Sequence, residues 1–455
     1  MLRQHLNLKS KAQARPNPVS CRGAALLRPV WRQLMRLGTI RSCFLFCAAL
    51  IFTSTTHAQR KAPPDPARPK IRAITAFINL DRAQYQQQVA EAMTVLKRAR
   101  IIFESRDYEV ETIRISTQPF PEYTKGLSNE QALAFFKNYD ALATKEKFAA
   151  SIGPAMLNAS DPEAQADLLV DVLKNTNSIN ASLVVADENG VRWGAVGAAA
   201  RAMQKLSATE HSQGNFKFSA IALVPPLTPF FPGSYHTGFG HQFAIALESA
   251  NTVAATFQGA PDLATARQRL TDRLGSEAFA IQALAGRVDQ DTGWTYMGID
   301  LSPAPMKTVS IAAALESLTA QPIGSPGTLT GAATITAAIR DIQVKQTGYS
   351  GLMLPVLEDS RLAQRWSEGR LSLDSLLSYS AVCGTGLDTV PLPGDVTEQQ
   401  LELIIGDMAS LAVKWHKPLS ARLLPVAGKK AGDTTEFDSQ YLVNATLQPV
   451  GIKSQ

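Results

Sequence analysis

Strand-like and helix-like stretches alternate from residue 71 to residue 413, and no other feature constrains the fold as tightly. Ile71–Asn79 alternates and is rich in β-branched residues. Asp81 can cap a helix whose apolar face is Tyr85, Val89, Ala92, Met93, Leu96, Ala99 and Phe103, spaced by three and four. Tyr108–Ser116 (YEVETIRIS) resumes the strand pattern until Pro119 and Pro121 stop it. Further helices are expected over Asn129–Ala143, Asp161–Asn175, Ala195–Leu206, Phe243–Ala250, Val309–Leu318, Gly331–Arg340 and Thr397–Val413. Leu183–Ala186 and Phe216–Leu223 read as strands. This order predicts an α/β architecture around a mostly parallel sheet, in one large domain over residues 71–455.

Charge is spread unevenly. Of 45 Lys+Arg, nine fall in residues 1–58, which hold no acidic residue; the other 36 face 39 Asp+Glu, a net of −3 over residues 59–455. No nucleic-acid partner is therefore expected. Residues 35–58 have the pattern of a secretory signal peptide, with Met35 as a candidate start. Arg36 and Arg41 precede the apolar run Cys43–Phe52, and Thr56-His57-Ala58 supplies a cleavage site. The run is half the roughly 20 residues that span a bilayer, so no stable membrane anchor is expected. The expectation is an exported, periplasmic protein cleaved near Ala58, with residues 59–70 as a flexible linker. Cys383 is the one cysteine beyond this leader, which excludes an internal disulfide there.

Gly/Pro-rich segments punctuate the second half and gather the titratable residues. Val224–Asn251 offers Tyr235, His236, His241 and Glu248. His236 is a candidate general acid/base or the cap of a turn, and Glu248 in an apolar stretch would have a raised pKa if buried. Asp300 stands at the end of a short apolar strand and Asp388 in the loop Tyr379–Asp395. Each could ligate a divalent metal or orient a substrate, and Asp300 could instead act as a base or cap the following turn. Cys383, on a glycine-flanked loop, is a candidate nucleophile or a buried inert thiol. Gly324, Ser325 and Gly327 precede a helix and could cradle an anion, or form a tight turn. Arg422 and Lys429 suit a small anionic metabolite, or belong to a solvated loop. No GxGxxG, GxxxxGK[ST], HExxH or GxSxG occurs, so nicotinamide, flavin and P-loop nucleotides have no motif here. The cofactor is left open, with a divalent metal as the one candidate.

The segments YEVETIRISTQPFPEY, SYHTGFGHQFAIALESAN, GIDLSPAP, GSPGTL, TGYSGLMLPVLED and YSAVCGTGLDTVPLPGD resemble an uncharacterised bacterial and archaeal family. It is called domain of unknown function seven-eleven, or uncharacterised protein family two-ten, and the resemblance covers most of residues 71–450. It implies no established activity. It does imply a fold similar to pyruvate formate-lyase and ribonucleotide reductase, a ten-stranded α/β barrel with a central finger loop. The loop around Cys383 is the counterpart of that finger. Glycyl-radical enzymes of this kind keep an Arg-Val-x-Gly-Tyr segment near the C-terminus. Tyr441–Gln455 has none, so no glycyl radical is expected. The expectation is a non-radical hydrolase, isomerase or lyase acting on a small carboxylate-bearing metabolite. A non-catalytic binding protein is the rival, and homo-oligomerisation is left open.

Overall fold

Ten strands form one sheet in the computed structural model, which describes residues 65–209 and 213–451. They are β1 (Lys70–Ile78), β2 (Val110–Thr117), β3 (Ala149–Ala155), β4 (Ile179–Asp187), β5 (Gly190–Val191), β6 (Phe218–Ala222), β7 (Gln242–Glu248), β8 (Thr295–Ala304), β9 (Gly386–Pro393) and β10 (Leu419–Val426). The order is β8-β7-β1-β2-β3-β4-β6-β10-β9, with the two-residue β5 as a hairpin on β4. The expected signal segment, residues 35–58, lies outside the described residues. Among the described residues no helix is long and apolar enough to cross a membrane.

The sheet is mixed, in two senses of direction. β1, β2, β3, β4 and β6 run parallel as a central block. β7 joins one edge antiparallel and brings β8; β10 joins the other antiparallel and brings β9. The outer strands β8 and β9 do not pair with each other. Each makes one parallel bridge to the segment Gln346–Pro355, through Ile299–Gln346 and Pro355–Asp388.

The two faces of the sheet carry different chemistry. Ile74, Ala76, Ile113, Ile115, Leu183 and Val185 point to a large apolar core shared with the helices. The opposite face presents Thr75, Ser116, Ser151 and Ser302, all buried. These hydroxyls hold loops laid across the sheet. Thr75 Oγ1 donates to the Pro229 carbonyl (2.9 Å) and Ser151 Oγ to that of Ser234 (2.7 Å), and the Gly351 N–H donates to Ser302 Oγ (3.1 Å). A second, smaller apolar cluster forms there from Ala73, Val184, Ile221, Phe230, Tyr235, Ala246, Tyr349 and Met353.

Helix placement follows the periodicity closely. The expected Thr397–Val413 is Glu398–Trp415, opened by a capping box at Thr397. Three expectations are corrected. Phe243–Ala250 is no helix: Gln242–Glu248 is β7, because pairing with β1 on one side and β8 on the other fixes these buried residues as a strand. Asp300 lies within β8 rather than at its end. Of the expected linker 59–70, residues 59–64 lie outside the described residues, and Asp65–Lys70 is tied down through Arg273–Asp65 (2.5 Å), Arg68–Glu277 (3.3 Å) and the start of β1.

Candidate functional site

A cavity of about 810 Å³ lies over the loop-bearing face of the sheet, at the N-terminal ends of the parallel block and the C-terminal end of β8. It is large enough for a metabolite. Its wall holds a network of buried charge. Arg72 sits at a bulge in the β1–β7 pairing, which aims its side chain away from the regular alternation. Its Nη1 meets Glu111 (2.9 Å) and Glu248 (3.4 Å), and its Nη2 meets Glu358 (3.5 Å). Arg422 on β10 grips Asp388 on β9 (2.7 Å) and Glu358 (2.5 Å). Burial works against both guanidiniums, yet the carboxylates hold their pKa values above the ordinary range. Asp388 is pushed upward by burial, with Arg422 opposing.

Two groups stand apart. Glu248 is 2% exposed, and burial followed by the charge of Glu111 raises its pKa to about 8, which favours its protonated form. It lies behind Arg72 and beside Glu111, which itself lines the cavity. Arg114 on β2 is buried with no ion pair among the described residues. Its Nε donates to Thr112 Oγ1 (3.0 Å), and its guanidinium lies over the Phe231 ring at 4.9 Å. Burial, then the neighbouring Arg72, lower its pKa to about 9. A buried cation without a carboxylate is costly unless an anion joins it.

Of the residues singled out in the sequence, the structure brings Asp388 and Arg422 to the cavity, with Glu248 just behind its wall. His236 is at the opposite end of the block, held between Asn79 Oδ1 (2.9 Å) and Gln242 Oε1 (2.7 Å); burial lowers its pKa. Tyr235 packs in the smaller apolar cluster and donates to the Val224 carbonyl (2.9 Å).

Asp300 accepts four hydrogen bonds from one loop and its own strand. Oδ1 accepts from Ser302 N, Ser302 Oγ and Ser350 N, and Oδ2 from Tyr349 N, so it pins the segment Thr347–Gly351. Among the described residues no three His, Cys, Asp or Glu side chains gather as a metal site. Cys383 is buried, and burial pushes its thiol up to about 12, the reverse of what a thiolate nucleophile needs. Its loop packs against the bridging segment, with Gly384 N donating to the Leu352 carbonyl (2.7 Å), but the bridging segment itself is Gln346–Pro355.

Gly324, Ser325 and Gly327 form a closed turn: Gly324 N donates to Thr328 Oγ1 (3.0 Å) and Ser325 N to the Pro322 carbonyl (3.1 Å). Lys429 pairs with the exposed Glu436 (2.8 Å) away from the cavity. Sequence reasoning missed Arg72, Glu111, Arg114 and Glu358. For the first three the available signal was charge inside otherwise apolar strands, in KIRAITAFI and VETIRIST; Glu358 lies outside any strand.

Fold and cavity together define an α/β protein with a charged, metabolite-sized chamber on one face of a ten-stranded sheet. The family model described as "Uncharacterised ACR (DUF711)" matches residues 66–440, and the chain belongs to that family. It is similar to a UPF0210 protein of Pyrobaculum islandicum, 32% identical over 352 residues, 73% of this chain and 77% of the relative. A UPF0210 protein of Pyrobaculum arsenaticum is 35% identical over 287 residues, 60% of this chain and 62% of that one. One from Acetivibrio thermocellus is 28% identical over 334 residues, 70% and 71%.

Proposed function

We propose that the protein is a non-radical enzyme that moves a proton on a small carboxylate-bearing metabolite bound in this cavity. The observation that supports it is the conjunction of a guanidinium in the cavity wall without an ion-pair partner among the described residues (Arg114) and a close carboxyl pair, Glu111 in that wall and Glu248 just behind it. Arg114 takes the substrate carboxylate as a bidentate partner. Glu111 faces the substrate and exchanges protons with it. Glu248 resupplies Glu111, since two adjacent carboxyls do not both ionise readily. Arg72 bridges the two and fixes their orientation. The Arg422–Asp388–Glu358 cluster shapes the far wall.

In this reading the sheet is a barrel of the formate-lyase kind. Nine strand positions plus the bridging segment Gln346–Pro355 make ten, in two opposed sets of five. Export after cleavage near Ala58 is part of the proposal, and N-terminal sequencing of the secreted fraction tests it.

The test of the enzyme reading is proton NMR in D2O with hydroxy, oxo and amino carboxylates. Wild type should exchange or convert one of them, and Glu111→Gln should bind it without exchange. Binding with neither exchange nor product favours the rival, a carboxylate-binding protein. The mutually satisfied Arg72, Arg422, Glu358 and Asp388 would also suit that role as a static lining.

A further inference from the structure

The cavity wall has another, half-buried cation with no ion pair among the described residues. Lys217 precedes β6 and lines the same cavity as Arg114. Its Nζ donates to the Leu173 carbonyl (2.8 Å) and to that of Thr176, leaving one of three N–H bonds uncommitted among the described residues. No carboxylate forms an ion pair with it there. Between β2 and β6 the sheet takes three strand steps, through β3 and β4, so the two cations are anchored ~14 Å apart at the backbone. Both side chains border the one cavity, whose volume of about 810 Å³ leaves room for a short ligand with an anionic group at each end.

Two hydroxyls add to the demand for acceptors. Ser219 Oγ and Thr385 Oγ1 line the cavity, are buried, and have no hydrogen-bond partner among the described residues. At its exposed end the cavity is lined by Arg100, Lys147 and Lys174, a field that favours entry of a multiply charged anion.

Resting on the carboxylate reading above, the geometry points to a dicarboxylate as the substrate class, one carboxylate on Arg114 and the other on Lys217. Arg114, fork-shaped, takes its carboxylate bidentate; Lys217 supplies a point charge and one hydrogen bond. The Arg72 and Arg422 network takes no part in anion binding, because its carboxylates already occupy both guanidiniums.

Isothermal titration of the purified protein with length-matched monocarboxylates, dicarboxylates and phosphorylated monocarboxylates tests this. Dicarboxylates should bind at least tenfold more tightly than their monocarboxylate counterparts. Lys217→Gln should reduce that preference to less than threefold while monocarboxylate affinity persists, and Arg114→Gln should weaken both. Lys217 also caps the helix Ala164–Lys174, so a second measurement on wild type guards against a misfolded variant. Burial lowers the Lys217 pKa to about 8. The dicarboxylate preference should therefore fall as pH rises through about 8, while monocarboxylate affinity persists.

A wild-type preference below threefold, or one that survives both Lys217→Gln and the pH rise, overturns the inference. Tighter binding of the phosphorylated series overturns the dicarboxylate and makes the second group a phosphate. If no carboxylate of any kind binds, the carboxylate reading of the cavity fails first.

Discussion

One methyl group at Gly348 should unseat the segment that touches both edges of the sheet. Gly348 has φ +67°, and a Cβ there would lie 2.2 Å from Asp300 Oδ2, more than 1 Å inside the 3.4 Å where ordinary contact begins. The backbone alone costs about 1–2 kcal/mol for a non-glycine residue in this region. The carboxylate cannot retreat freely, because four donors from Ser302, Tyr349 and Ser350 hold it. Losing one such charged hydrogen bond adds about 1.5–3 kcal/mol. Gly348→Ala should therefore destabilise by about 3–5 kcal/mol.

Gly369 is the control. Its φ is +70°, nearly the same, and a Cβ there meets nothing within 4 Å. Gly369→Ala should lose only the backbone part, about 1–2 kcal/mol. Urea denaturation of both variants, followed by far-UV circular dichroism, gives the difference directly. If Gly348→Ala falls within 1 kcal/mol of Gly369→Ala, Asp300 does not clamp this segment and the argument is wrong.

Burial and Glu111 raise Glu248 from an ordinary 4.5 to about 8, so between those values the folded chain holds a proton that the unfolded chain has released. Stability should fall as pH rises through that window, and Glu248→Gln should flatten the fall in urea midpoints measured at pH 5.5 and 8. Arg422→Met leaves Asp388 and Glu358 buried without their main cation, and should cost about 3–5 kcal/mol in the same assay. In residues 59–455, Cys383 should react with a thiol reagent at pH 8 only after guanidinium unfolding. Rapid reaction of the native protein would restore it as a nucleophile candidate.

Helices were legible because their apolar stripes face one core. Val89, Met93, Leu96 and Phe103 are buried at the spacing that predicts them. Strands with two buried faces were harder. Ser116, Ser151 and Ser302 interrupt apolar runs as solvent-facing residues would, yet all are buried under loops. The same ambiguity hid the cavity. Glu111 and Arg114 in VETIRIST look like the wet side of a strand, and only the fold encloses them. Asp388 and Arg422 were singled out for separate tasks, since nothing in sequence links residues on two strands 34 apart; the parallel pairing of β9 with β10 joins them. The 30-residue helix Leu263–Thr292 was missed although its buried Ala266, Leu270, Leu274, Ala278 and Ile281 recur at spacings of four and three, a stripe of the same kind.

The strand order also favours a sequence of assembly as the chain emerges N-terminus first. β1 to β4 and β6 emerge in the order in which they neighbour one another, so the parallel block can be laid down progressively. β7 and β8 must then return to the β1 edge, while the β6 edge waits for β10, the last strand made. During that wait an open strand edge is exposed to pairing with other chains. The interval covers the roughly 200 residues between β6 and β10, which makes it the stage at which a chaperone would matter most.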